Sequence, residues 1–172
     1  MIEFSLLNPT SITQLQIHGD IQLDGITENE NKLFDVHPID LQSIQCQLPK
    51  TIPLTIKSLT IKQCLTQNPI LSLTELTQLE YLQIQTYSKL NTIQLPSSLK
   101  ELEINGIPTL TSIEGNCSLR KIRINLCIKL NKIPLTSSLE SIELNTCPQI
   151  IKLFNSLGLK PHFVKINNKI IN

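Results

Sequence analysis

Ser97–Ile113 reads SSLKELEINGIPTLTSI, and closely related text returns as CSLRKIRINLCIKLNKI at Cys117–Ile133 and as SSLESIELNTCPQIIKL at Ser137–Leu153. Each copy begins twenty residues after the last. A period of this length dictates the architecture, because a unit so short buries its apolar face only against copies of itself. Numbered from the first aliphatic residue, positions 1, 4 and 6 are Leu79, Leu82 and Ile84, then Leu99, Leu102 and Ile104, then Leu119, Ile122 and Ile124, then Leu139, Ile142 and Leu144. Positions 12 and 15 follow as Leu90 and Ile93, Leu110 and Ile113, Leu130 and Ile133, Ile150 and Leu153.

Positions 4 and 6 carry the period of two that sends alternate side chains to opposite faces of a strand. The unit then has little room for a regular helix, and LPSS, IPLTSS and IEGNCS are turn formers, so the return path is expected to be extended or 3-10. The expected short parallel strands centre on Leu59–Ile61, Leu82–Ile84, Leu102–Ile104, Ile122–Ile124 and Ile142–Leu144. Upstream, Ile56, Leu59, Ile61, Cys64 and Ile70 fit positions 1, 4, 6, 9 and 15, and the longer unit, with its ILSLTELTQ, has room for an added helical turn. Val36, Ile39, Leu41 and Ile44 supply a coil before that, in competition with a register starting at Leu41, and Ile12, Leu15, Ile17, Leu23 and Ile26 an earlier one.

The whole chain, residues 1–172, therefore reads as one domain. Residues 1–11 form an N-terminal cap whose Ile2, Phe4 and Leu6 alternate as in an edge strand; about seven repeats occupy 12–158; and a cap strand occupies 159–172, with Val164 and Ile166 facing inward. A short helix through IIKLFNSLGLK is expected to stop at Gly158.

Written out, the unit is L-x-x-L-x-[IL]-x-x-C-x-x-[LI]-x-x-[IL], which resembles a leucine-rich repeat over Ile12–Leu153, most strongly over Leu79–Leu153. Cys64, Cys127 and Cys147 occupy position 9, so the resemblance is to the cysteine-containing class, with repeats as short as those of bacterial effectors. It implies a solenoid of the α/β type dominated by β and irregular coil, a right-handed superhelix. Its parallel sheet lines the concave face and the returns lie on the convex face. Tyr87 and Ile107 depart from the rule at position 9, and apolar packing is expected to replace the usual hydrogen bond there.

Composition narrows the function. The chain is 40% apolar but only 3% aromatic, with no Trp, so a core tiled by similar aliphatic contacts is expected. A formal net charge of +1 without a run of like charges gives no electrostatic footprint for nucleic acid or an anionic membrane. The N-terminal MIEFSLLNPTSITQ has no basic and apolar leader pattern, and no stretch reaches the roughly 18 apolar residues of a membrane span, so a cytoplasmic chain is expected. Five cysteines, an odd number, point to free thiols that act as small hydrophobes rather than to a disulfide framework. Asn116 begins a glycosylation sequon that has no meaning in that compartment. His18, His37 and His162 fall in no nucleophile or metal motif, no phosphate-binding loop is present, and no cofactor or metal is implied.

The informative residues are those between the inward aliphatics. Position 5 gives the column Gln16, Asp40, Thr60, Gln83, Glu103, Arg123, Glu143 and Lys165, in which the last four alternate in sign. Position 3 adds Tyr81, Glu101, Lys121 and Phe163. Two readings stand for this face. It is a self-satisfied charge ladder, or it is the surface on which a monomeric, non-catalytic scaffold holds a protein partner, with Tyr81 and Phe163 as aromatic anchors. An alternative in another class, by analogy with some leucine-rich repeat proteins, is a regulatory or targeting subunit of an enzyme such as a protein phosphatase.

Overall fold

The structure is a computed structural model that describes residues 14–18, 54–64 and 68–171. It is a β-solenoid of about five turns with a single helix among the described residues. The main sheet contains β1 (Gln14–His18), β2 (Ser58–Cys64), β4 (Tyr81–Tyr87), β6 (Glu101–Asn105), β8 (Lys121–Asn125), β9 (Ser141–Asn145), β10 (Phe163–Ile166) and β11 (Lys169–Ile170), in that spatial order. All neighbours are parallel except β11, which folds back antiparallel on β10. β3 (Ile70–Ser72), β5 (Thr92–Gln94) and β7 (Ser112–Glu114) form a second parallel sheet on the return path.

The register follows the repeat. Leu82 pairs with Leu102, Leu102 with Ile122, and Ile122 with Ile142, so each strand position lies on the same position of the next coil; in the longer coil from Ile56, Leu71 rather than the expected Ile70 lies on Ile93, and Ile70 is exposed. The aliphatic residues therefore stack into columns that close into one core. Positions 1, 4, 6, 12 and 15 of the three coils beginning at Leu79, Leu99 and Leu119 are all buried. Hydroxyls close the gaps between coils: Ser98 and Ser138 at position 20 donate to the carbonyls of Leu79 (2.8 Å) and Leu119 (3.2 Å), and Thr109 donates to Leu90 (2.9 Å).

Position 9 behaves as the sequence suggests. Tyr87 and Ile107 are buried and replace the thiol by packing. Cys127 and Cys147 are fully buried free thiols, and each donates to the carbonyl of the asparagine two residues before it, at 3.5 and 3.0 Å. The Cys147 thiol nearby and burial push the Cys127 thiol well above its ordinary value, so it stays protonated. Cys127→Ala is expected to keep the fold and cost about 1 kcal/mol, the scale of one weak hydrogen bond and a small packing defect, read by chemical denaturation.

The expected helix runs Pro148–Leu157, opened by Pro148 in its first turn and ended by Gly158 in the left-handed conformation (φ 63°). Val164 and Ile166 face inward.

Two further expectations are corrected. Ile70–Ser72 is the strand β3 rather than part of a helix, and only the hydrogen-bonded turns Leu73–Leu76 and Leu76–Leu79 follow it. Leu71 and Leu73 are both buried, and their spacing of two holds the backbone extended for pairing with β5, overriding the helical reading of ILSLTELTQ. The position-5 column also runs directly from Gln16 on β1 to Thr60 on β2, which corrects its expected order. The coil expected over Val36–Ile44 and the cap of residues 1–11 lie outside the described residues.

The turn after each strand holds a feature not read from the sequence. Position 8 is left-handed in consecutive coils: Thr86 (φ 52°), Gly106 (71°), Leu126 (55°), Thr146 (54°) and Asn168 (64°). Gly106 adopts this conformation without strain and Asn168 readily, but Thr86, Leu126 and Thr146 adopt it against preference. Stacking of one coil on the next imposes it regardless of side chain.

Candidate functional site

The outward residues of β4, β6, β8, β9 and β10 share one face of the main sheet. In-register pairing places Glu103 beside Gln83 and Arg123, and Glu143 beside Arg123 and Lys165. The Arg123 guanidinium bridges two coils, donating to Glu103 at 3.4 Å and to Glu143 at 3.1 Å. Lys165 reaches the other oxygen of Glu143 at 3.6 Å, and Lys121 donates to Glu101 at 2.8 Å. The Tyr81 hydroxyl donates to Glu103 at 3.4 Å. Tyr81, Glu101, Glu103, Lys121, Arg123 and Glu143, with Ser141, surround a hollow of about 230 Å³ on the sheet face.

All nine candidate residues, Tyr81, Gln83, Glu101, Glu103, Lys121, Arg123, Glu143, Phe163 and Lys165, thus fall on one surface. Gln83, Phe163 and Lys165 do not line the hollow: Gln83 lies on β4, and Phe163 and Lys165 lie on β10 opposite Ser141 and Glu143. Four strand steps of about 4.8 Å set Tyr81 and Phe163 about 19 Å apart, with the charges between them. Both rings are half-buried. Glu103 and Glu143 lie deep, 21% and 19% exposed, whereas the Arg123 side chain is 55% exposed. The carboxylates are the floor and the long cations are the rim.

The electrostatics follow from that layout. The Arg123 hydrogen bond holds the Glu143 carboxyl below its ordinary value, and Glu143 in turn raises Arg123. Burial and the Glu103 carboxylate push the Tyr81 phenol above its usual value, so it remains a donor at neutral pH.

Sequence reasoning missed a second ladder at position 2. Glu80, Lys100, Arg120 and Glu140 stack on successive coils, with Lys100 bonded to Glu80 at 2.9 Å and Arg120 to Glu140 at 2.7 Å. On the return path Lys132 meets Glu114 at 2.8 Å. The signal was present in the sequence as opposite charges twenty residues apart, Glu80 with Lys100 and Arg120 with Glu140, in a series that does not alternate as position 5 does. A row of asparagines at position 7 adds a side-chain bond from Asn125 to Asn105 at 3.0 Å.

The lowered carboxyls have a consequence in acid. Glu80, Glu114 and Glu143 titrate below the ordinary value of 4.5, held down first by hydrogen bonds from Lys100, Lys132 and Arg123 respectively. A carboxyl lowered in the folded state stabilises fully above its unfolded value, and that contribution is lost as the pH falls through the folded one. Melting temperature is expected to stay flat from neutrality down to pH about 5 and to fall below about 4.5. Added salt should flatten the acid limb, since these pairs are solvent-exposed at least in part.

No family model matches the chain, and neither the curated proteins nor the solved structures contain a match. Among the described residues no group of three or more His, Cys, Asp or Glu side chains gathers that could hold a metal ion, and no helix is long and apolar enough to cross a membrane.

Proposed function

We propose that the chain is a non-catalytic, cytoplasmic protein-binding scaffold of the leucine-rich repeat kind, monomeric and built from short cysteine-class repeats in a right-handed superhelix. Its sheet forms the concave face and meets the partner. The observation that carries this reading is the hollow of about 230 Å³ around Arg123, set on a stacked sheet and lined by charged groups and one half-buried tyrosine. Extended faces of this kind are what solenoids present to partners. Tyrosine and arginine are the side chains that most often dominate binding energy, and both stand at the centre.

Arg123→Glu separates binding from stability. Affinity capture with mass spectrometry identifies the partner, and the variant is then compared with wild type for binding and melting temperature in one preparation. Binding should fall far more than stability, because charge complementarity sets encounter and partner choice. Lys100 cannot serve as the control, since it belongs to the position-2 ladder; Lys160→Glu takes that place, on an exposed lysine outside the face. Unchanged binding by Arg123→Glu moves the interaction off this face. A captured phosphatase would make the chain a targeting subunit of that enzyme.

A further inference from the structure

At the rim where the chain leaves the main sheet, positions 7–13 of successive coils cover residues 85–91, 105–111, 125–131 and 145–151, and none of these is Asp or Glu. The seven glutamates among the described residues all lie on the sheet face, the return path or the opposite rim. The acid-free rim carries exposed Lys89 and Lys129, both at position 11, and Lys152 follows one helical turn into the helix. It also carries apolar groups that the core does not use. Leu126 and Ile128 are 47% and 48% exposed, and at position 10 Ile128 stands between exposed Pro108 and Pro148 on the neighbouring coils.

Leu126 takes the left-handed conformation (φ 55°) where the flanking coils have Gly106 and Thr146. Stacking imposes that turn on every coil, and at Leu126 it leaves about half of the leucine side chain in solvent. Equivalent positions stack about 4.8 Å apart, so the aliphatic groups project in a row, as a ridge. A projecting ridge with lysines beside it fits a flat surface that is anionic outside and apolar within.

We propose that this rim docks the protein on an anionic lipid bilayer, Leu126 and Ile128 entering the headgroup boundary while Lys89, Lys129 and Lys152 meet the phosphates and carboxylates. The net charge of +1 conceals the feature: every glutamate among the described residues sits elsewhere on the molecule.

The test is co-sedimentation of the full chain with phosphatidylcholine vesicles and with vesicles about a third phosphatidylserine. Binding to the anionic vesicles alone is expected. Lys89→Glu with Lys129→Glu should weaken it at least about 25-fold, about fivefold or more for each lysine. Leu126→Asn with Ile128→Ser should also release the protein, and asparagine suits the left-handed turn, so the fold is kept. Lys57→Glu with Lys160→Glu makes the same charge change on exposed lysines away from this rim and should bind as wild type to within a few-fold. Melting curves confirm that each variant is folded. Failure to sediment with anionic vesicles, binding unchanged in the rim variants, or an equal loss in the control pair overturns the proposal. Binding of a Glu/Leu-rich peptide at these residues without vesicle binding overturns it in favour of an acidic protein partner.

Discussion

Gly115→Ala is expected to lower the unfolding free energy by about 2–4 kcal/mol, the most damaging single methyl that can be added to this chain's described glycines. Gly115 follows β7 and stacks on Leu95, the equivalent position of the previous coil. A Cβ there would stand 2.9 Å from the Leu95 carbonyl oxygen and 3.0 Å from its Cβ, and the local φ of 153° already disfavours a side chain. Neither obstacle is the end of a flexible side chain. Leu95 is buried, and its own N–H is bonded to Glu114 at 2.7 Å, so relief requires the two coils to part. The melting temperature should drop by roughly 5–15 °C. Gly106→Ala is the internal comparison: its Cβ would meet only Thr86 Oγ1 at 3.7 Å, and neighbouring coils already hold non-glycine residues in the same conformation. It should cost about 1 kcal/mol or less. Equal losses for the two would show that backbone conformation, not coil contact, governs both.

Arg123→Glu comes next, at about 1–3 kcal/mol by chemical denaturation. It removes the two ion pairs of Arg123 and sets a third carboxylate between Glu103 and Glu143, both of which lie mostly out of solvent. An exposed pair alone would contribute less than about 1 kcal/mol, so most of the penalty is the repulsion left among the three acids. That predicts its pH signature. Wild type loses stability as the pH falls through the lowered Glu143 value, whereas the variant should gain as protonation relieves its acid row, so the two curves converge in acid. A variant that stays equally destabilised at pH about 3 would point to lost packing of the arginine stem instead.

The coil and the register were legible in the sequence because the signal was redundant. Leu82, Leu102, Ile122 and Ile142 each report the same position, and a parallel ladder cannot slip by one residue without turning all of them to solvent. The candidate face followed from the same periodicity, since Glu103, Arg123 and Glu143 are the residues between buried neighbours. What was not legible depends on single events. The strand at Ile70–Ser72 carries one buried leucine between two exposed neighbours and borrows its conformation from β5. The left-handed turn at position 8 is written in no residue type, because Thr86, Leu126 and Thr146 all adopt it against preference. The position-2 ladder is masked in the sequence because Lys100 and Arg120 lie just outside the strands whose alternation carries the pattern. The absence of carboxylates from one rim of the described coils shows only once the coils are laid on one another.

The alternation of charge on consecutive strands sets a grammar for how such a chain can change length. Coils with glutamate at position 5 (Glu103, Glu143) sandwich one with arginine (Arg123), so the aliphatic columns repeat every coil while the electrostatic sequence repeats every second one. Duplicating residues 119–138 alone would lay Arg123 against its own copy, whereas duplicating residues 99–138 would continue the series unbroken. Along position 5, then, charge alternation survives a tandem duplication only when coils are gained or lost in pairs, a rule written by the surface and invisible to the core.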